Sequence, residues 1–178
     1  MKEKKIDAYV FEEFISAEEI KDRIKIIASE LRSIYLEKNP TFLIILNGAF
    51  IFGSDLIRAY GEDCTISFVK LSSYEGLTST NKVQVDLEIN VDIKDKDVII
   101  IEDIIDTGTT LNKFMEDVQA QNPKSIALVS LVVKRDAMKF DIPIDYYGFN
   151  IPNDFVIGYG LDYNEYGREL SSLYRLKT

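Results

Sequence analysis

An α/β fold, with a mainly parallel twisted sheet and helices on both faces, is predicted by two features of this 178-residue chain. Short runs dominated by apolar residues recur within 42–46, 97–103 and 126–133, as expected of strands buried on both faces. Between them lie segments with helical periodicity, so strand and helix alternate from residue 42 to 133, the pattern of a parallel sheet with helical crossovers. The length suits one domain, with a core over about 16–136 and a hood from about 1–15 and 137–178.

Ser16-Ala17-Glu18-Glu19 is a capping box, and Ile15 with Ile20 forms a hydrophobic staple. Ile20, Ile24, Ile27, Leu31 and Ile34 then make one apolar face of a helix ending near Asn39-Pro40. The first buried strand, Phe42–Leu46, breaks at Asn47-Gly48-Ala49. A second helix runs from about Phe52 to Tyr60 and is closed by Gly61. Residues 64–71 (CTISFVKL) and 83–89 (VQVDLEI) alternate like strands. The polar segment between them, 72–82, has no period and reads as a loop long enough to serve function. Within 97–103 the strand Val98–Ile101 is followed by a loop, 102–110, and a helix from about Thr109 marked by Leu111, Phe114, Met115 and Val118. Asn122-Pro123 stops it before the last buried strand. Residues 140–178 are richer in aromatics and turns, and read as the cap.

Composition narrows the chemistry. The chain has no histidine, which excludes Ser–His and Cys–His nucleophiles and a His-rich zinc site. Acid–base work falls to Asp, Glu, Lys or Tyr, and any metal should be a hard, oxygen-ligated ion such as Mg²⁺. The single Cys64 rules out an internal disulfide and reads as a buried thiol. A net charge of −9 argues against a nucleic-acid footprint. No apolar run is long enough to cross a bilayer, and the basic start, Met1 to Lys5, leads into no apolar signal core, so the chain reads as cytoplasmic.

Three acids, Glu102, Asp103 and Asp106, interrupt the end of a buried strand, and Thr107-Gly108-Thr109-Thr110 follows directly. In open α/β sheets, ligands bind beyond the carboxyl ends of the strands. Small residues there let an anion reach the free N–H groups at the start of the next helix. Carboxylates beside such a cradle match the hydroxyls of a phosphorylated sugar. The glycines at 48 and 53 have P-loop spacing, but Ser54-Asp55 follows where Lys and Ser or Thr are needed.

The stretch from Ile99 to Thr110 resembles the phosphoribosyl-diphosphate motif of type I phosphoribosyltransferases. Leu46–Phe52, Leu71–Tyr74, Ser130–Arg135 and Asp154–Tyr166 extend the resemblance from about residue 10 onward, toward the branch acting on 6-oxopurines. The resemblance implies transfer of 5-phosphoribose from 5-phosphoribosyl 1-diphosphate to hypoxanthine or guanine, with Mg²⁺ and through an oxocarbenium-like transition state. It implies that Asp106, Thr107, Gly108, Thr109 and Thr110 hold the 5-phosphate, with Asp106 as general acid/base beside purine N7. Glu102 and Asp103 would serve the ribose hydroxyls, directly or through a metal. Asn47 and Gly48, with a cis peptide before Asn47, and Arg168 would meet the pyrophosphate, and Asp162 its metal. Lys134 would donate to the 6-oxo group, Phe155 stack on the base, and Val156 offer it backbone groups. Ser73 and Tyr74 would belong to a lid. Asn47 and Thr109 depart from the pattern, since relatives carry basic residues there. The resemblance further implies a homodimer or homotetramer without nucleic-acid or membrane partners. Two alternatives are a xanthine-preferring enzyme and an RNA-binding regulator on the same fold.

Overall fold

The computed structural model describes residues 2–73, 83–87 and 89–177, with 72–73 and 83–87 described by backbone alone. Its strands are β1 (Glu3–Ile6), β2 (Tyr9–Ile15), β3 (Thr41–Leu46), β4 (Thr65–Ser73), β5 (Val83–Leu87), β6 (Asp97–Ile105), β7 (Ser125–Val133), β8 (Tyr146–Asn150), β9 (Val156–Ile157) and β10 (Leu173–Leu176). The α-helices are α1 (Ala17–Tyr35), α2 (Phe50–Tyr60) and α3 (Thr109–Gln119).

The main sheet has the order β5-β4-β3-β6-β7-β8. All its pairings are parallel except β4 with β5. Successive strand residues point to opposite faces. Phe42, Ile44, Ile99, Ile101 and Val129 pack with α1 and α2 on one side. Leu43, Ile45, Val98, Ile100 and Leu128 pack with α3 on the other. Both faces are covered, which is why these strands are apolar without alternation. The chain winds one way from β3 to β4 and the other way through β6 and β7, so a topological switch lies between β3 and β6, where ligands bind in such sheets.

The capping box at Ser16 is formed: its hydroxyl accepts from Glu19 N–H (3.3 Å), and Glu19 Oε2 accepts from Ser16 N–H (2.9 Å). The apolar face of α1 closes on buried Tyr35, not on Ile34, which is 47% exposed. The helix stops at Tyr35, short of Asn39-Pro40. Arg32 satisfies the last carbonyls of α2, donating to Tyr60 O (3.0 Å) and Ala59 O (2.7 Å). Cys64 lies just before β4 and is half-buried against the core rather than enclosed.

Three boundaries differ from the sequence reading. The β6–β7 ladder continues to Ile105↔Val133, so Glu102 and Asp103 stand on the strand and not in the loop. β4 extends through Ser72 and Ser73, while 74–82, with Tyr74 and most of the expected lid, lies outside the described residues. Residues 146–150, expected in the cap, form β8 and extend the main sheet by one parallel strand. A second, antiparallel sheet of order β1-β2-β10-β9 packs around Ile6, Phe11, Ile157 and Tyr174. No helix among the described residues is long and apolar enough to cross a membrane.

Candidate active site

The site is assembled at the carboxyl ends of β3, β6 and β7. Ile105 and Val133 are ladder partners, and Lys134 N–H donates to Ile105 O (2.9 Å). The next side chains along the two strands therefore meet: Lys134 Nζ donates to Asp106 Oδ2 at 2.8 Å. The pair is asymmetric, with the Lys134 side chain 8% exposed and that of Asp106 45%. The buried cation is thus directed to a carboxylate whose other side is open. A lysine ammonium has three donors, so others remain for a guest.

Glu102 and Asp103, one step back on β6, fold onto the local backbone. Glu102 Oε1 accepts from Asp103 N–H (3.0 Å) and Asp103 Oδ1 from Ile104 N–H (2.8 Å). Although Glu102 as a residue is only partly buried, enclosure of its carboxyl, then the negative charge of Asp103, pushes it well above the usual carboxylate range. Two acids share one place, and no cation among the described residues is paired with Glu102.

The loop after Asp106 is built around Gly108, whose φ of +75° favours glycine. A Cβ there would also fall 2.7 Å from Ile142 Cδ1. Lys139 N–H donates to Thr107 O (3.0 Å), pinning the loop, and the Thr107 and Thr109 hydroxyls lie 3.2 Å apart. α3 starts with no side-chain cap. Asn112 N–H donates to Gly108 O (2.8 Å), so the preceding N–H groups have no acceptor within the helix. They face a cleft of about 160 Å³ lined by Glu102, Ile104, Asp106 and residues 107–111. Open donors, hydroxyls and the helix dipole make this an anion site.

From β3, the exposed Asn47 and buried Gly48 reach the same place, and the Leu46–Asn47 peptide is cis, as the resemblance implies. Gly48 lies so close to Asp103 that a Cβ would overlap its carboxylate, at 1.4 Å from Oδ2. Only glycine allows this approach. On its other side, a Cβ on Gly160 would fall 2.0 Å from Gly48 O. The loop is therefore wedged between β6 and the 158–160 turn. Gly160 received no role from sequence; the signal was the pair of glycines around Tyr159.

Arg168 belongs to the same region. Its Nη1 donates to Gly160 O (2.9 Å) and its Nη2 pairs with Asp162 Oδ1 (2.8 Å). Asp162 Oδ2 accepts from Glu165 N–H (2.8 Å). Asp162 is thus held by Arg168 and the Glu165 backbone, and no three acids converge on a common point among the described residues. Phe155 is 47% exposed, with its ring 6.3 Å from Phe11 and 6.0 Å from Tyr163. Val156, next to it, is buried on β9.

Residues 12–164 match the family model described as "Phosphoribosyl transferase domain". The chain is 34% identical to the hypoxanthine-guanine phosphoribosyltransferase of Aquifex aeolicus, over 92% of this chain and 93% of that protein. It is 38% identical to the Dictyostelium discoideum protein of the same name, over 93% and 95% of the two chains. The crystal structure of a hypoxanthine phosphoribosyltransferase from Staphylococcus aureus is similar, with a TM-score of 0.89 and 39% identity, covering 93% of this chain and 91% of that one.

Proposed function

From the premise that the chain belongs to the phosphoribosyltransferase family, we propose that it is a purine-salvage enzyme. It moves 5-phosphoribose from 5-phosphoribosyl 1-diphosphate to hypoxanthine or guanine and releases pyrophosphate. The relatives' names support the base class. The observation that carries the residue roles is the Lys134–Asp106 pair, 2.8 Å apart beside the 107–110 cradle.

In this reading the sugar's 5-phosphate sits on the α3 N-terminus and the Thr107, Thr109 and Thr110 hydroxyls. Glu102 and Asp103 hold the ribose hydroxyls. Asn47–Gly48 and Arg168 hold the diphosphate, the former through backbone donors. Lys134 keeps one donor on Asp106 and gives another to the 6-oxo group, for which adenine substitutes an amine that offers a donor to a donor. Asp106 exchanges a proton at purine N7 as N9 attacks. Phe155 supplies the stacking face and Val156 backbone groups. The second sheet acts as the hood over the base, and Ser73 and Tyr74 begin a lid that excludes water from the oxocarbenium-like centre.

The donor set suits Mg²⁺: all are hard oxygens, and no cation among the described residues is paired with the acids at 102–103. Mg²⁺ is commonly held by one or two carboxylates with substrate phosphates completing its shell, so Asp162 and Glu102–Asp103 are the residues that would hold it. When bound it supplies charge neutralisation of the departing pyrophosphate.

The assembly is read as a homodimer or homotetramer, supported by apolar side chains open on α2 and β4: Phe50, Ile66 and Phe68 are 44%, 44% and 43% exposed. The compartment is read as cytoplasmic.

One assay tests the function: pyrophosphate release with each of hypoxanthine, guanine, xanthine and adenine. Turnover with hypoxanthine and guanine is expected. Dominant turnover with xanthine would select the sister specificity, and turnover with adenine would overturn the role given to Lys134.

A further inference from the structure

Gly158, Tyr159 and Gly160 form a turn in which each residue has a positive φ, of 101°, 49° and 104°. The glycines take this freely and the tyrosine does not. The turn is tied down along its backbone. Gly158 N–H donates to Leu161 O (2.9 Å), Tyr159 N–H to Leu170 O (2.8 Å) and Gly160 N–H to Arg168 O (3.0 Å). At Gly160 it touches both groups assigned to the diphosphate: its Cα faces Gly48 O, and its carbonyl accepts from Arg168 Nη1.

The remaining anchor is the Tyr159 side chain. It is 7% exposed, and its hydroxyl donates to Asp55 Oδ2 at 2.5 Å. Asp55 stands on α2, the helix that begins directly after Asn47-Gly48-Ala49. A closed ring results: Gly48 leads into α2, α2 carries Asp55, Asp55 accepts from Tyr159, and Tyr159 leads into Gly160, which rests on Gly48. Burial, then Asp55, holds the phenol above its ordinary pKa, so it remains a donor at working pH.

We propose that the Tyr159–Asp55 hydrogen bond is a latch that positions the Asn47–Gly48 loop and Arg168 for the diphosphate end of the substrate. Tyr159 and Asp55 are positioning residues and touch no substrate. The proposal rests on the phosphoribosyl-transfer reading of the site. Without the bond, the Gly48 loop and the Arg168 turn can move relative to one another, and their joint grip on one ligand weakens. The Lys134 donor, just past the end of β7, lies outside the ring and keeps its geometry.

The test compares the whole chain with Tyr159→Phe, Asp55→Ala, Asp55→Asn and the Tyr159→Phe/Asp55→Ala pair. Initial rates give both KM values, and calorimetry gives the affinity for magnesium pyrophosphate. Tyr159→Phe and Asp55→Ala should each raise the KM for phosphoribosyl diphosphate and the pyrophosphate Kd about five- to tenfold, leaving the hypoxanthine KM within about twofold. Asp55→Asn keeps an acceptor oxygen and should recover most of the loss, and the double variant should be no worse than either single one. Equal rises in both KM values, or an unchanged diphosphate KM in Tyr159→Phe, would overturn the latch. If the unmodified chain has no transferase activity, the functional reading fails; the pyrophosphate affinities of the same variants still decide the latch.

Discussion

The two ends of β6 carry the same kind of side chain and treat it in opposite ways. At the start of the strand Asp97 is 7% exposed. It accepts from Ser125 Oγ at 2.7 Å and from Lys124 Nζ at 3.0 Å. Burial alone would raise its carboxyl, but those two bonds and the Lys124 charge outweigh it and leave the pKa below the usual value. At the far end, burial pushes the Glu102 carboxyl up and the neighbouring acid, Asp103, adds to the rise. The helix starts repeat the contrast. α1 is closed by a complete capping box, whereas α3 begins on a glycine with no side-chain cap. Where only stability is at stake, the chain satisfies its own polar groups. At the carboxyl end of the sheet it leaves acids and N–H donors for a guest to satisfy, at a cost in stability.

The contrast breaks most sharply at Asp106. Asp106→Asn should lower kcat by about 10²–10⁴-fold while leaving the melting temperature and phosphoribosyl-diphosphate binding nearly unchanged, because asparagine can still accept from Lys134. Near-normal turnover in a stopped assay would remove Asp106 from the chemistry. A somewhat smaller effect is expected from Lys134→Met. It removes the donor proposed for the 6-oxo group and should cut kcat/KM for hypoxanthine by about a hundredfold, with the phosphoribosyl-diphosphate KM little altered. An equal loss in both substrates would count against a base-reading lysine.

Which of these groups could be read from sequence follows from how local their signals are. The buried strands were legible because both faces are covered, so Val98–Ile101 is apolar without interruption and Leu128–Val133 is apolar but for the buried Ser130. The end of β6 was not, because a strand that stays hydrogen-bonded past its last core residue carries acids there and reads like a loop. β8 hid for a related reason: Tyr146–Asn150 lies at the sheet edge and is only partly buried, so its pattern matches a cap. The three acids and the small-residue loop were visible as a cluster within one segment. The Lys134–Asp106 pair joins residues 28 positions apart and Tyr159–Asp55 residues 104 apart, distances over which periodicity carries no information. The role of Lys134 came from resemblance alone; that of Tyr159 needed the structure.

Titration should sharpen the comparison with opposite signs at the two ends. The folded-state pKa of Asp97 is lowered, so its contribution is present above the unfolded value, about 3.9, and is lost as pH falls through the folded value. Asp97→Asn should therefore cost about 1–2 kcal/mol at pH 7, a gap that closes as the pH drops below the carboxylate range. The folded-state pKa of Glu102 is raised, so its unfavourable contribution appears as pH rises from the unfolded value through the folded one. In metal-free buffer, Glu102→Gln should match the parent in acid and exceed it in stability at alkaline pH. Urea midpoints measured across the pH range test both, and a gap of the same sign at both ends would defeat the contrast.

The smallest effect separates the two helix starts. Ser16→Ala removes the hydroxyl that accepts from Glu19 N–H on α1. It should cost about 1 kcal/mol and lower the melting temperature by about 2–4 °C, with no change in KM for either substrate. Inorganic phosphate should stabilise the parent by occupying the open N–H groups of α3, through binding to the folded state alone. Because phosphate binds at α3, which Ser16→Ala does not touch, the phosphate-induced rise should be the same in the variant as in the parent. If the variant instead gained a larger rise, the exposed start of α1 would be taking phosphate too, and the division between a self-satisfied and a ligand-satisfied helix start would fail.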